Sequence, residues 1–168
     1  MAVLSHDEIL KAIEKGEIEI EPYYPDAVGP ASVDLTLSNQ FRVFKPHNAW
    51  LDIKETTNYR EETELVEIPD DGYFEVAPHT TCLAVTRERT KLSKGICALL
   101  EGRSRFARLG LFVHITASFM NPGIDCQQVR EIYNSSNVCS FGMSVSLPFG
   151  VGRWVRAFHK ERTLLALP

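Results

Sequence analysis

The residues best suited to chemistry lie in the segment 101–111, which reads Glu-Gly-Arg-Ser-Arg-Phe-Ala-Arg-Leu-Gly-Leu. Three arginines and one serine fall close together in a chain whose formal net charge is −4, namely Arg103, Ser104, Arg105 and Arg108. Gly102 allows a close backbone approach or an unusual φ, and Ser104 is a candidate N-cap of a short helix. Free helix N–H groups and guanidinium groups together bind phosphate. The alternative is a surface turn whose arginines pair with local carboxylates.

A second candidate is a carboxylate on a predicted strand. Residues 127–133 alternate, so Val129, Glu131 and Tyr133 share one face, and the opposite face holds Gln128, Arg130 and Ile132. A carboxylate between an aliphatic and an aromatic side chain either has a charged or hydrogen-bonding partner or takes part in a reaction, because burying it unpaired is costly. The alternative is that this face is merely half exposed. The pattern alone leaves both interpretations open.

Composition narrows the classes of protein to consider. The 168 residues are enough for one domain, 1–168, with a real core, and 44% hydrophobic and 24% charged residues are ordinary for a soluble globular protein. The net charge argues against a general nucleic-acid binder, so the arginine cluster favours a small polyanion. The N-terminus does not resemble a signal peptide, and no apolar run approaches membrane-spanning length. We expect a cytoplasmic protein with no nucleic-acid or membrane partner.

The spacing of the cysteines also predicts a cytosolic protein. Four are present, widely spaced and without a Cys-x-x-Cys pair: Cys82, Cys97, Cys126 and Cys139. This pattern is typical of reduced core cysteines in the cytosol, rather than of a disulfide framework or a zinc site.

The elements that must position these residues are mainly strands. A helix is predicted over 5–15, with Ser5 and Glu8 as a capping box. Val33, Leu35 and Leu37 share one strand face, which places Asp34 on the opposite, polar face. Further strands are predicted at 17–20, 65–68, 73–76, 81–86, 112–117, 127–133 and 141–149, with a long polar excursion over 45–71. Many short strands and one real helix predict a mostly antiparallel β barrel or sandwich.

Four motifs carry a resemblance to a known family. They are Gly-Pro-Ala-Ser-Val-Asp-Leu at 29–35, the 101–111 segment, Val-His-Ile-Thr-Ala at 113–117, and Pro-Gly followed by Glu-Ile-Tyr-Asn within 122–134. Together they resemble dCTP deaminase, a member of the trimeric dUTPase superfamily, from about Leu4 to Tyr133. The resemblance implies a mostly β, distorted barrel or jelly-roll-like fold with a short N-terminal helix. It also implies a homotrimer with active sites at subunit interfaces.

The resemblance also assigns roles. The Gly-Arg-Ser motif would hold the triphosphate of dCTP or dUTP with Mg²⁺, Ala117 would contact the base through its backbone, and Glu131 would be the general base. Ser104 and Arg108 would position water and stabilise the tetrahedral intermediate. One carboxylate can move both protons of a hydrolytic deamination. The implied substrate-binding set is Arg103, Ser104, Arg105, Arg108, Ala117, Asn121 and Tyr133.

Zinc is not expected, because the sequence has no Pro-Cys-x-x-Cys motif, so the signature of zinc deaminases, which pairs that motif with His-x-Glu, is incomplete. If Arg103 binds phosphate, the unliganded fold should depend on it little.

The chain also departs from the family pattern. Arg105 replaces a small residue, and Asn121 stands where many members have an aspartate near the sugar, which argues against dUTP hydrolysis. No convincing match to the segment that closes over the nucleotide follows Phe149. Two alternatives remain: a dUTPase or bifunctional deaminase and diphosphatase, and a non-catalytic nucleotide-binding trimer.

Overall fold

The computed structural model describes residues 3–46, 50–69, 72–137, 140–144 and 152–159, with the backbone alone for 144 and 152–159. A single 3₁₀ turn in this part of the chain lies at Pro25–Ala27. The remaining elements are α1 (His6–Glu14), β1 (Ile18–Glu21), β2 (Val28–Gly29), β3 (Ser32–Leu35), β4 (Leu37–Phe44), β5 (Thr63–Glu67), β6 (Tyr73–Val76), β7 (Thr81–Leu92), β8 (Ile96–Gly102), α2 (Ser104–Ala107), β9 (Leu111–Val113), β10 (Phe119–Met120), β11 (Asp125–Asn134), β12 (Phe141–Ser144) and β13 (Gly152–His159).

The N-terminal helix forms as its sequence predicts. The Glu8 carboxylate accepts hydrogen bonds from the Ser5 backbone N–H at 2.9 Å and from the Ser5 hydroxyl at 3.1 Å. Ile9 and Ala12 form the buried side of the helix. Gly16, with φ +70°, ends it in the left-handed region that favours glycine.

The largest sheet has six strands and carries Glu131, the second candidate residue. Its order is β5-β4-β7-β11-β9, and β1 pairs with the second half of β7, beyond the end of β4. All of its pairs are antiparallel, with Val129 opposite Val85 and Ile132 opposite Val113. β7 therefore lies at the centre of the sheet, and β11 follows it toward the edge strand β9.

The second sheet has five strands in the order β10-β8-β13-β3-β2, and β6 and β12 form a separate pair. β13 lies between β8 and β3, with Arg153 opposite Glu101 on one side and Asp34 on the other. The sequence did not predict a strand at 152–159. Of the strand predicted over 141–149, β12 confirms the first four residues, and 145–149 lie outside the described residues.

The predicted mostly β class with a short N-terminal helix is confirmed, and the sheets are strongly distorted. Within the ranges described they do not close into a single barrel. The strand predicted within the 45–71 excursion is present as β5, slightly earlier than expected.

One prediction about strand faces is wrong. Both faces of β3 are buried, so Asp34 is not on a solvated polar face. The reason is that Val33 and Leu35 pack into an apolar cluster on one face, while Asp34 on the other face binds the Arg103 side chain.

The interior is divided into two apolar clusters. The first includes Ile9, Val33, Leu35, Leu92 and Ile96, and the second includes Leu37, Phe41, Val113 and Ile132. Between them lies a set of buried polar side chains that we call the buried polar layer: Thr36, Thr86, Glu88, Thr90, Gln128 and Arg130. The buried face of β7 shows the division directly, because three polar residues separate Ala84 from Leu92.

Candidate functional site

The arginine motif sits on the turn that follows β8. The helix α2 contains four residues and begins at Ser104, and its N-cap is Arg103 with extended backbone angles of φ −73° and ψ 131°. The predicted N-cap at Ser104 is therefore wrong by one residue. Ser104 is exposed in the first turn, at the helix end where backbone N–H groups lack intrahelical partners.

Gly102 is required for close packing. A Cβ atom at this position would lie 3.1 Å from the Cβ of Val113 and 3.2 Å from its carbonyl oxygen. Such distances are shorter than ordinary van der Waals contacts, so glycine lets the end of β8 pack tightly on β9. Of the two roles that the sequence allowed for Gly102, the close approach is confirmed. The packing brings the arginine motif beside the end of β9.

Arg103 is held by an acidic residue from the second sheet. Its Nη2 donates to Asp34 Oδ2 at 2.7 Å, and the side chains of Arg103 and Asp34 are only 17% and 6% exposed. Arg103 is therefore ion-paired in the unliganded chain, but with a buried carboxylate 69 positions away and not with a local carboxylate at a surface turn. A guanidinium carries five N–H donors, and among the described residues this bond uses one of them.

The other two arginines of the motif are exposed. Arg105 lies with its guanidinium carbon 5.1 Å from the centroid of the Phe106 ring, and Arg108 is the C-cap residue of α2. Neither forms an ion pair with a carboxylate in the described part of the chain. Their charges therefore add to a basic surface around α2.

Glu131 lies on the outward face of β11, as the alternation predicted. The neighbouring outward residues on the same strand are Val129 and Tyr133, and Leu83 is its cross-strand partner on β7. The Glu131 side chain is 31% exposed, and Val129 is 41% exposed. Both interpretations from the sequence hold in part, because this face is half exposed and the carboxylate also has a partner.

That partner is His114, which the sequence analysis gave no role. The predicted strand 112–117 ends at Val113, because His114 has φ +64° and turns the chain out of the sheet. The His114 backbone N–H still donates to the Glu131 carbonyl at 2.7 Å. Its Nδ1 lies 3.0 Å from Glu131 Oε2, and its Nε2 lies 2.7 Å from the carbonyl oxygen of Ala117.

These two ring contacts constrain the protons. An imidazole nitrogen 2.7 Å from a carbonyl oxygen must carry hydrogen, because a carbonyl only accepts, so Nε2 is the protonated nitrogen. Nδ1 then faces Oε2 of Glu131, and that contact is attractive only with a proton between the two atoms. The angle between them falls outside hydrogen-bond geometry, so the contact is an ion-pair distance rather than an aligned bond. Catalytic contacts are often poorly aligned before substrate binds.

The remaining predicted residues lie around this centre. The hydroxyl of Tyr133 is 3.4 Å from His79 Nδ1, and its ring packs against Phe112 with centroids 6.3 Å apart. Asn121 is exposed after β10, where its carbonyl accepts from the Ile124 N–H at 3.3 Å. Among the described residues, no hydrogen bond or ion pair joins Asn121 to Glu131 or Arg103.

A cleft opens next to Glu131 on the same face of the sheet. Its volume is about 240 Å³, and Leu83, Val85 and Val129 contribute to its lining. Arg42 and Arg60 also line it, with their guanidinium carbons 5.9 and 5.8 Å from the centroid of the Tyr59 ring.

The structure thus joins Glu131 to Ala117 through His114 and places the arginine motif against the same strand end. His114 and Asp34 are the site residues that the sequence analysis missed or undervalued. A histidine within an otherwise aliphatic strand pattern was the available signal for the first. No three His, Cys, Asp or Glu side chains converge as a metal ligand set in the described residues. No helix there is long and apolar enough to cross a membrane.

The features described define an antiparallel β protein with a basic turn beside a carboxylate–imidazole pair. Residues 3–143 match the dCTP deaminase-like family, and the chain belongs to that family. It is 41% identical over 143 residues to the dCTP deaminases of Shewanella sp. (strain ANA-3) and Shewanella oneidensis, a match that covers 80% of this chain and 74% of each relative. The resemblance inferred from the four motifs is therefore confirmed.

A solved structure supports the fold. The 2′-deoxycytidine 5′-triphosphate deaminase from Agrobacterium tumefaciens superimposes with a TM-score of 0.68 at 15% identity. The match covers 92% of this chain and 47% of the other, so this chain spans about half the length of that protein.

Proposed function

We propose that this chain hydrolyses dCTP to dUTP and ammonia, with Glu131 as the general base and without zinc. The observation that carries the proposal is the connection from Glu131 through His114 to the Ala117 carbonyl, beside the arginine motif. The names of the curated relatives supply the substrate.

The proposed chemistry needs one group that first accepts and then donates a proton. Glu131 takes a proton from water as the oxygen attacks C4 of cytosine, and it returns a proton to the amino group that leaves as ammonia. His114 Nδ1, 3.0 Å from Glu131 Oε2, would hold the carboxylate in place for this exchange. Ser104 and Arg108, exposed on α2, would position the water and stabilise charge on the intermediate.

The basic turn would bind the triphosphate. Arg103 offers the guanidinium donors that Asp34 leaves free, and Arg105 adds positive charge at the surface. Mg²⁺ would be held mainly by the phosphate oxygens, where it neutralises charge. Asp34 already binds the Arg103 guanidinium, so we expect it to add little to the coordination of this ion. Ala117 would contact the base through its backbone, with Asn121 and Tyr133 at the edge of the site.

We also propose that the working form is a homotrimer. The outward face of the six-stranded sheet exposes apolar side chains beside Glu131, including Val129 at 41% and Phe112 at 42%. A second copy of the chain would cover this face and complete the site. Static light scattering should then give a mass near three times 18.9 kDa, and an active monomer would contradict the assembly.

Two other functions remain as alternatives. Hydrolysis of dUTP to dUMP and diphosphate is disfavoured by Asn121, because an amide cannot act as the base that an aspartate would supply. A non-catalytic nucleotide-binding protein would bind dCTP through the arginine motif without turnover. We place the enzyme in the cytoplasm, in agreement with the free cysteines Cys82, Cys97 and Cys126.

One assay separates these functions. Purified protein is incubated with dCTP or dUTP and Mg²⁺, and the nucleotides are separated by ion-exchange chromatography. The proposal predicts dUTP and ammonia from dCTP, with dUTP itself unchanged and with activity retained after treatment with a zinc chelator. Formation of dUMP would favour the dUTP-hydrolysing alternative. Absence of any product would favour the non-catalytic nucleotide-binding protein.

The same assay tests the general base. Glu131→Gln keeps the shape of the side chain and should retain dCTP affinity, while the rate falls about 10²–10⁴-fold. The matched control is Glu64→Gln, which removes an exposed carboxylate from β5 and should leave the rate unchanged. A rate for Glu131→Gln equal to that of the parent would reassign the base.

A further inference from the structure

The buried polar layer contains charges that the proposed chemistry does not use. Arg130 is completely buried, and none of its three guanidinium nitrogens forms a hydrogen bond to a described residue. Glu88, which is 1% exposed, lies in the same layer. Burial lowers the pKa of Arg130 to about 10, and the negative charge of Glu88 opposes that shift. Arg130 therefore remains charged at neutral pH inside the core.

The Glu88 carboxylate is fixed by one residue of the strand junction between β3 and β4. Its Oε2 accepts from the Thr36 backbone N–H at 2.9 Å, and its Oε1 accepts from the Thr36 hydroxyl at 2.6 Å. Thr36 lies two residues after Asp34, the acceptor for Arg103. The position of Glu88 is thus linked to the strand that holds the arginine motif.

Arg130 links the buried charge of Glu88 to β11, the strand that carries Glu131. It immediately precedes Glu131 on β11, and the two side chains point to opposite faces of the sheet. Because the Arg130 side chain is completely buried, a guanidinium left without a compensating charge would strain β11, the strand that carries Glu131. Glu88 occupies a buried position on β7, the strand paired with β11, and its negative charge favours the charged form of that guanidinium.

We propose that Glu88 is a positioning residue, which fixes Glu131 relative to Arg103 through Arg130 on one side and Thr36 on the other. The inference rests on the proposed function, since it concerns the geometry of that site. Glu88 does not touch the substrate in this account. Its role is to hold two sheet segments in register, because each depends on the same buried carboxylate.

The test compares three variants with the parent at a temperature where all are folded by circular dichroism. Glu88→Gln removes the charge and keeps the shape, so kcat should fall about ten- to a hundredfold, the effect of a small misplacement of a reacting group. KM should change little, because the free donors of the arginine motif remain. The double variant Glu88→Gln/Arg130→Met removes the uncompensated charge and should recover most of the lost kcat.

The matched structural control is Leu92→Ala, which opens a cavity on the same strand in the first apolar cluster. It should lower the melting temperature while kcat stays at the parent value. If kcat for Glu88→Gln equals that of the parent, or if Leu92→Ala loses as much kcat, the positioning role is wrong. If Glu88→Gln does not fold, Thr36→Val takes its place, because it removes the hydroxyl bond and keeps the backbone one.

A second readout separates this inference from the proposed function. The nitrogen resonances of the His114 imidazole report its contact with Glu131 whether or not the protein is active. They should shift in Glu88→Gln or its Thr36→Val replacement and stay in place in Leu92→Ala. A parent that does not convert dCTP would overturn the proposed function alone, whereas unshifted His114 resonances in these Glu88 or Thr36 variants would overturn the positioning role.

Discussion

Arg103→Ala should weaken both the fold and nucleotide binding. The Arg103–Asp34 pair is 2.7 Å long and nearly buried, with side-chain exposures of 17% and 6%. Breaking a buried pair costs about 3–5 kcal/mol, and breaking an exposed pair costs about 0.2–1 kcal/mol. Asp34 has further interactions, so we expect a loss of about 2–3 kcal/mol in the free energy of unfolding. For a chain of this size, that loss lowers the melting temperature by about 5–10 °C.

This result differs from the expectation drawn from the sequence, in which the unliganded fold depended little on Arg103. Affinity for dCTP should fall about ten- to a hundredfold in the same variant, because a hydrogen bond to a charged group contributes about 1.5–3 kcal/mol. Deoxycytidine has no phosphate and should bind the variant and the parent alike. Calorimetric titration and thermal unfolding at equal protein concentration measure the two effects.

Two controls separate the roles of Arg103. Asp34→Asn removes the same ion pair but keeps the guanidinium, so stability should fall while dCTP affinity is largely retained. Arg105→Ala removes an exposed arginine stacked only on its neighbour Phe106, and its melting temperature should match the parent. A parent-like melting temperature for Arg103→Ala would refute the structural reasoning, and parent-like dCTP affinity would refute the phosphate site.

Two further predictions concern the framework of the site. Gly110→Ala should destabilise the protein more than Gly123→Ala in urea unfolding. Both positions have positive φ, at +91° and +79°, and each substitution should cost about 1–2 kcal/mol in backbone strain. A Cβ at position 110 would also lie only 2.9 Å from Ser135 Oγ, whereas a Cβ at position 123 would lie 3.8 Å from Lys94 Cγ, an ordinary contact. Equal losses would show that this contact relaxes freely. Burial raises the pKa of the Cys82 thiol to about 12, so at pH 8 its thiolate fraction is about a thousandfold below that of an ordinary cysteine. Iodoacetamide followed by mass spectrometry should therefore modify exposed Cys126 well before Cys82, and comparable labelling of the two would contradict the burial.

Local sequence patterns predicted much of the framework. The Ser5–Glu8 cap and the alternation of β11 each depend on neighbours within a few residues, and both are found in the structure. The outward position of Glu131 followed from the same alternation. These features could be predicted because strand and helix periodicity fixes the direction of a side chain without knowledge of the tertiary fold.

The rest depends on contacts between distant residues. Asp34 and Arg103 are 69 positions apart in sequence and meet at 2.7 Å, so no local pattern could show that β3 would be buried on both faces. His114 was read as part of a strand because its aliphatic neighbours suit one, whereas tertiary contacts hold it at a positive φ. The cysteines show the same limit, since Cys82 is buried as expected but Cys126 is exposed.

The division of the interior into two apolar clusters has a consequence for how the protein opens. Each cluster is a contiguous set of contacts, and the residues between them contribute polar and charged interactions rather than continuous packing. Native-state hydrogen exchange should therefore resolve two groups of slow amides rather than one. The amides of α1, β1 and the end of β7 would form one cooperative unit, and those of β4, β9 and the end of β11 the other. Low concentrations of denaturant would release one group while the other stayed protected.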